Sequence, residues 1–186
     1  RRGSRPRDRQ RRQGVGLNSG WSWRDSQQRL AELHVSEARR HALELFSAAS
    51  TTYPHEWTSS ISERLVVNAF DFASHAYRVS ELCNLSGLKL TGVSASRFKY
   101  SSGAPELEDR YNEALNLIRH AQALTVGWVS HDGTKVFLSS AEDSTPSYLS
   151  VETDRHVGAV GLFGVSFVFL TQILIQIKQQ YPMMKF

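Results

Sequence analysis

The chain holds seven histidines. Histidine is the side chain that changes charge near neutral pH, and it is the commonest metal ligand. His34 and His41 stand seven residues apart in one amphipathic segment, so they share a helix face. Asn68 and His75 are also seven apart, on the main apolar stripe of a second segment. Arg119 and His120 fall side by side in a third, with His120 beside Leu117 and Leu124. If the three helices pack together, Asn68, His75 and Arg119 or His120 form a polar cluster inside the bundle. These four are the candidate catalytic residues. The competing reading is that each is a hydrogen-bonded or half-exposed side chain without chemistry.

Other chemistries find less in the chain. A metal site needs several ligands at fitting spacing, and there is no HExxH, no ExxH and no cysteine-rich motif. His34 with Glu37 or His41 is an incomplete set, so no metal and no cofactor are expected. Cys83 is the only cysteine, which rules out an intrachain disulfide and is consistent with a reducing compartment. No GxSxG, GxGxxG or Walker loop occurs. Trp21, Trp23, Trp57 and Trp128 serve either as contact anchors or as covers for the ends of a small core.

These residues need helices to position them, and the 3.6-residue period supplies them. Leu30, Leu33, Ala38, Ala42, Leu45 and Phe46 predict a helix from about Trp23 to Ser50. Pro54 disfavours helix in the residue before it and so limits that helix. A second helix is expected from about Glu56 to Leu85. Trp57, Ile61, Leu65, Phe72, Ala76, Val79 and Leu82 form one stripe, and Val66, Val67, Ala69, Phe70, Ala73 and Tyr77 a second. A helix with two apolar sides is expected to be buried on both. Gly87 reads as its stop. Residues 86–105 are rich in Ser and Gly and read as a loop. Pro105 then opens a third helix, from about Glu106 to Leu124, with acidic residues in its first turn. Asp132–Gly133 predicts a tight turn between Gly127–Trp128–Val129 and Lys135–Val136–Phe137–Leu138, and Tyr148–Thr153 adds a short third strand.

From Val157 to Ile177 the chain carries no charged residue. About 20 apolar residues suffice to cross a bilayer. The same pattern describes the buried central helix of a bundle. Thr171, Gln172 and Gln176 favour the buried helix, which places the protein in the cytoplasm; the alternative is a C-terminal membrane anchor. The formal charge of +4 is unevenly spread across the 186 residues. Arg1, Arg2, Arg5, Arg7, Arg9, Arg11 and Arg12 stand against Asp8 alone in residues 1–20, and the remainder is slightly acidic. That tail is too polar to order itself. It is either a disordered extension or a phosphate-binding arm through which RNA is held. Residues 21–186 form one helical domain, so the expected fold is mainly all-α, about a four-helix bundle with a small β-hairpin or short sheet before the last long helix.

The second helix, the third helix with its LNLIRHAQALT, the hairpin and the last long helix resemble HEPN-type helical bundles over about residues 24–181. These are small, often dimeric bacterial and archaeal proteins, frequent in toxin and anti-phage systems, and their active members cut RNA. The family's site is an Arg followed after four to six residues by His, with a polar residue beside the Arg. Arg119 is followed at those distances by Leu124, Thr125 and Val126. Arg29 to His34 meets the spacing, with Leu30 beside the Arg. The resemblance therefore implies a catalytically degenerate member, with Arg119 and His120 as a remnant. Three functions are expected in order: a non-catalytic binding or assembly module that self-associates as a dimer; a HEPN-type ribonuclease; and a tail-anchored membrane protein.

Overall fold

A computed structural model describes residues 23–85, 97–100, 106–107, 110–131, 143–155 and 157–186. Helix α1 spans Trp23–Ala49, close to its expected length. Its last carbonyls are taken up by side chains: Ser50 Oγ donates to the Phe46 carbonyl at 2.8 Å and Thr51 Oγ1 to that of Ser47 at 2.7 Å. Such bonds satisfy carbonyls that have no partner within the helix. A short 3-10 turn at His55–Trp57 leads into α2, Thr58–Leu82.

The stop of α2 is set at Asn84, and Gly87, the expected stop, lies outside the described residues. Asn84 has φ of 54°, the left-handed conformation that Asn tolerates better than most residues. The Leu85 amide donates to the Ser80 carbonyl at 2.8 Å and the Asn84 amide to that of Glu81 at 3.4 Å. This is a Schellman closure, and the buried Leu85 anchors it.

After α2 the chain departs from the expected helices. Arg97–Tyr100 (β1) and Glu106–Leu107 (β2) are strands, where a loop and a helix start were expected. Helix α3 is confined to Tyr111–Arg119. Strand β3 covers Ala123–Ser130 and β4 covers Ser144–Glu152, so the third strand begins earlier than expected. The anticipated Asp132–Gly133 turn and Lys135–Leu138 strand lie outside the described residues. The first part of the long apolar run, Val157–Gly161, is strand β5 and not helix. It pairs antiparallel with both β4 and β1. Helix begins only at Leu162–Val168 (α4), widens into a π turn at Phe169–Ile173 and continues as α5, Leu174–Gln180.

The result is mainly helical with an antiparallel sheet of order β2-β1-β5-β4-β3. Strand β4 is the centre of the packing, touching α1, α2, α3 and α4. Leu149 and Val151 on β4 are buried, while Tyr148 and Glu152 are exposed, so one face of the strand meets the helices. The π turn fits the last helix to this core. Leu162, Val165 and Val168 precede it at three-residue steps, Phe169 and Ile173 are its first and last residues, and Ile177 follows four positions on, all buried. A π insertion rotates the helix by the extra residue, which lets both sets face inward. Phe169 meets Phe72 of α2 edge to face at 5.5 Å. Each such ring contributes about 1.5–3 kcal/mol on full burial. Leu162–Gln180 is also, among the described residues, the one helix long and apolar enough to cross a membrane. Its inward side is occupied by this chain's own core, and Phe163 and Ile175 on its other side are exposed.

Candidate functional site

The paired spacing of seven on α1 and α2 has a direct consequence. The helices run antiparallel, so His34 meets His75 and His41 meets Asn68, two rungs separated by two helical turns. His34 Nδ1 and His75 Nδ1 are 2.9 Å apart, and their ring centroids are 5.0 Å apart. The His41 ring lies parallel to that of His75 with centroids 6.1 Å apart, which joins the rungs into one row. His41 and Asn68 are buried, and His34 and His75 are half-buried.

The lower rung has a fixed proton arrangement. Arg40 Nη2 lies 2.8 Å from His41 Nε2. A guanidinium can only donate, so Nε2 is the acceptor and carries no proton. The proton of neutral His41 is therefore on Nδ1, where it is donated to Asn68 Oδ1. The Asn68 amide reaches back to the His41 carbonyl at 3.4 Å. Arg40 is itself held by Glu37, with contacts of 3.1 and 2.7 Å, and by Glu44 at 3.2 Å. These pairs are exposed, so they orient Arg40 more than they stabilise the fold. The Arg40 hydrogen bond keeps the Glu37 carboxyl below its ordinary range.

The upper rung is held neutral. Burial is the main cause that lowers the titration of both His34 and His75. Each further suffers from neighbouring positive charge: His75 and Arg78 act on His34, and His41 and Arg40 act on His75. Glu37 and Asp71 oppose the shift at His75. Two neutral imidazoles 2.9 Å apart share one N–H, with one ring donating and the other accepting. The pair can therefore accept or pass on a proton.

Metal binding fits the site less well. Among the described residues no three His, Cys, Asp or Glu side chains are arranged to hold an ion. The contact has the distance of an N–H···N hydrogen bond. Arg40 and Arg78 beside the row disfavour a further cation.

The structure brings two of the four sequence candidates, Asn68 and His75, into this row and leaves the other two outside. The Arg119 guanidinium lies over the Tyr77 ring, 4.0 Å from its centroid, and 3.4 Å from Asn116. Tyr77 is about 200° around α2 from His75, so Arg119 approaches a different side of that helix. His120 is exposed at the end of α3, in an open groove with Glu113, Thr153 and Arg155. The expected meeting of α3 with the row fails because α3 packs on the opposite flank of α2. The row is completed by His34 and His41 of α1, and the matching seven-residue spacings were the signal for it. His34, the histidine of the Arg29 to His34 match, is in the row, while Arg29 is exposed. The tail arginines Arg1, Arg2, Arg5, Arg7, Arg9, Arg11 and Arg12 lie outside the described residues.

Cys83 is buried, and burial pushes its thiol up to about 11. It is an inert core residue and no nucleophile.

No family model, no curated protein and no solved structure matches this chain.

Proposed function

We propose that this chain is a non-catalytic binding and assembly module that self-associates as a dimer through the outer face of α2. One observation carries the reading. The second apolar stripe of α2 finds no cover at its outer edge, where Val67 is 62% and Phe70 is 46% exposed. Apolar residues one turn apart on an exposed helix face mark a contact surface more often when they adjoin polar residues that can rim it. Glu63, Arg64, Asp71 and Arg78 supply such a rim, all on the same helix. Burying Val67 and Phe70 would contribute about 1.5–3 kcal/mol per side chain at full burial. On this reading α1, α2, α3 and the joined α4–α5 stand for the four helices of a HEPN-like bundle, and the sheet is an addition to it. The module is cytoplasmic, a placement supported by the inward packing of Leu162, Val165, Phe169 and Ile177 in its own core.

Sedimentation equilibrium of wild type and Phe70→Glu tests the reading. A wild-type dimer that the substitution converts to a folded monomer is expected. A dimer that ignores Phe70→Glu moves the interface elsewhere, and a wild-type monomer at high concentration contradicts self-association.

A second reading, a HEPN-type ribonuclease, is favoured by the convergence of His34, His41, Asn68 and His75 with Arg40 nearby. Neutral histidines serve as general bases and a guanidinium stabilises phosphate charge. Its centre is then the α1–α2 row and not Arg119 with His120. Loss of RNA cleavage on His75→Ala, with cleavage kept in Arg119→Ala/His120→Ala, is the expected pattern. Absence of any cleavage by the wild type would end this reading.

A further inference from the structure

We propose that the facing pair His34 and His75 is a proton-operated latch between α1 and α2, closed by one shared proton and opened when further protons enter. The geometry sets the rule. Two facing Nδ1 atoms 2.9 Å apart have room for one hydrogen between them. With both rings neutral, one donates and the other accepts. A first added proton leaves the contact intact, because an imidazolium still donates Nδ1–H to its neutral neighbour, and a charge-assisted hydrogen bond is the stronger kind. A second added proton leaves two N–H groups pointing at each other, with like charges on rings 5.0 Å apart. That contact must break.

His41 stands outside the switch, since it donates Nδ1–H to Asn68 Oδ1 whatever the charge on its ring. Its Nε2 is the acceptor for Arg40. The His41 ring stacks on that of His75 with centroids 6.1 Å apart. Acid therefore opens the His34–His75 rung and leaves the His41–Asn68 rung in place. The charged neighbours facing the row come from both helices: Glu37 and Arg40 from α1, Asp71 and Arg78 from α2. Glu37 and Asp71 favour proton entry, whereas Arg40 and Arg78 oppose it. Arg40 is tethered to Glu37 and Glu44 and the His41–Asn68 rung holds, so the opening is local. Partial burial of the two imidazoles, which lowers their titration, keeps the latch closed at neutral pH. This inference requires neither the proposed dimer nor any RNA chemistry.

The test is hydrogen–deuterium exchange of the full chain between pH 7.5 and 5, corrected for intrinsic rates, alongside nitrogen NMR titration of the histidine side chains. Exchange in the middle of α1 and α2 is expected to speed up by roughly tenfold or more on acidification, the factor that one displaced pKa unit supplies. Segments on α3 and β4 are expected to keep their protection. The double variant His34→Gln/His75→Gln is expected to lose this response, and His120→Gln to keep it. Two results would overturn the latch: both His34 and His75 becoming fully protonated in the wild type with no change in α1–α2 exchange, or an undiminished acid response in the double variant. The wild-type titration decides the matter even if the double variant does not fold.

Discussion

His34 and His75 face each other across two antiparallel helices with their Nδ1 atoms 2.9 Å apart, and two turns further along the same helices His41 meets Asn68. Both contacts follow from one regularity, a polar residue repeated after seven positions on each helix. Seven residues are nearly two turns, so the repeat returns to the same face, and antiparallel packing matches one pair to the other.

The pH dependence of stability has a definite sign. His34 and His75 titrate below the ordinary value of 6.5 in the folded chain. The unfolded chain binds protons first as pH falls, so stability is full above about 6.5 and declines as pH drops through that value. Glu37 acts in a lower window, since its carboxyl is held below the ordinary 4.5 and its contribution fades as pH falls past that point. Thermal unfolding from pH 8 to pH 5 should show the melting temperature falling before carboxylates titrate. A flat profile over that range would contradict the histidine assignments.

Asn68→Ala is expected to destabilise the fold by about 1–3 kcal/mol, the cost of leaving a buried donor unsatisfied. His41 is only 6% exposed, and its Nδ1–H loses its acceptor. Urea denaturation measures the loss. His41→Leu in the Asn68→Ala background should recover part of it, because no stranded donor then remains.

Asn84 is predicted to tolerate Gly and to resist Ala. Its φ of 54° disfavours a Cβ-bearing residue that lacks a short polar side chain. Asn84→Ala should cost about 1–2 kcal/mol and Asn84→Gly close to nothing. Equal effects of the two in chemical denaturation would remove the left-handed closure of α2.

Tyr111 ties α3 to α4. Its hydroxyl is buried and donates to the Val165 carbonyl at 2.8 Å. Tyr111→Phe should lower stability by about 0.5–1.5 kcal/mol, the net value of one such bond. No change in the unfolding midpoint would mean that the bond is not formed in solution.

If the arginine tail is a phosphate-binding arm, RNA binding should weaken steeply with salt and vanish when residues 1–20 are removed. Filter binding at two salt concentrations decides it. Binding that survives the deletion would transfer it to residues 21–186.

The long local helices were legible because their signals are local. The apolar period and Pro54 fix α1 and α2 to within a few residues. The sheet was mostly illegible for the opposite reason. Val157–Gly161 reads as the start of a helix when its neighbours in sequence are apolar, yet its partners are β4 and β1, the latter about sixty residues away. Arg97–Tyr100 becomes a strand only through that distant pairing. The ends of α3 were lost in the same way, since Glu106–Leu107 and Ala123–Ser130 are taken into the sheet. At the site, the seven-residue pairs were visible, but joining them needed the α1–α2 register. Arg119 and His120 fall outside the row because α3 packs on another side of α2, which sequence does not reveal.

Light scattering of the full chain on a sizing column, without detergent and over a range of concentrations, decides whether the protein assembles through α2. A soluble species with the mass of a dimer is expected, giving way to a monomer on dilution or with Phe70→Glu. A monomer at every concentration would contradict assembly through α2, and recovery only from membranes with detergent would make Leu162–Gln180 an anchor and overturn the cytoplasmic module.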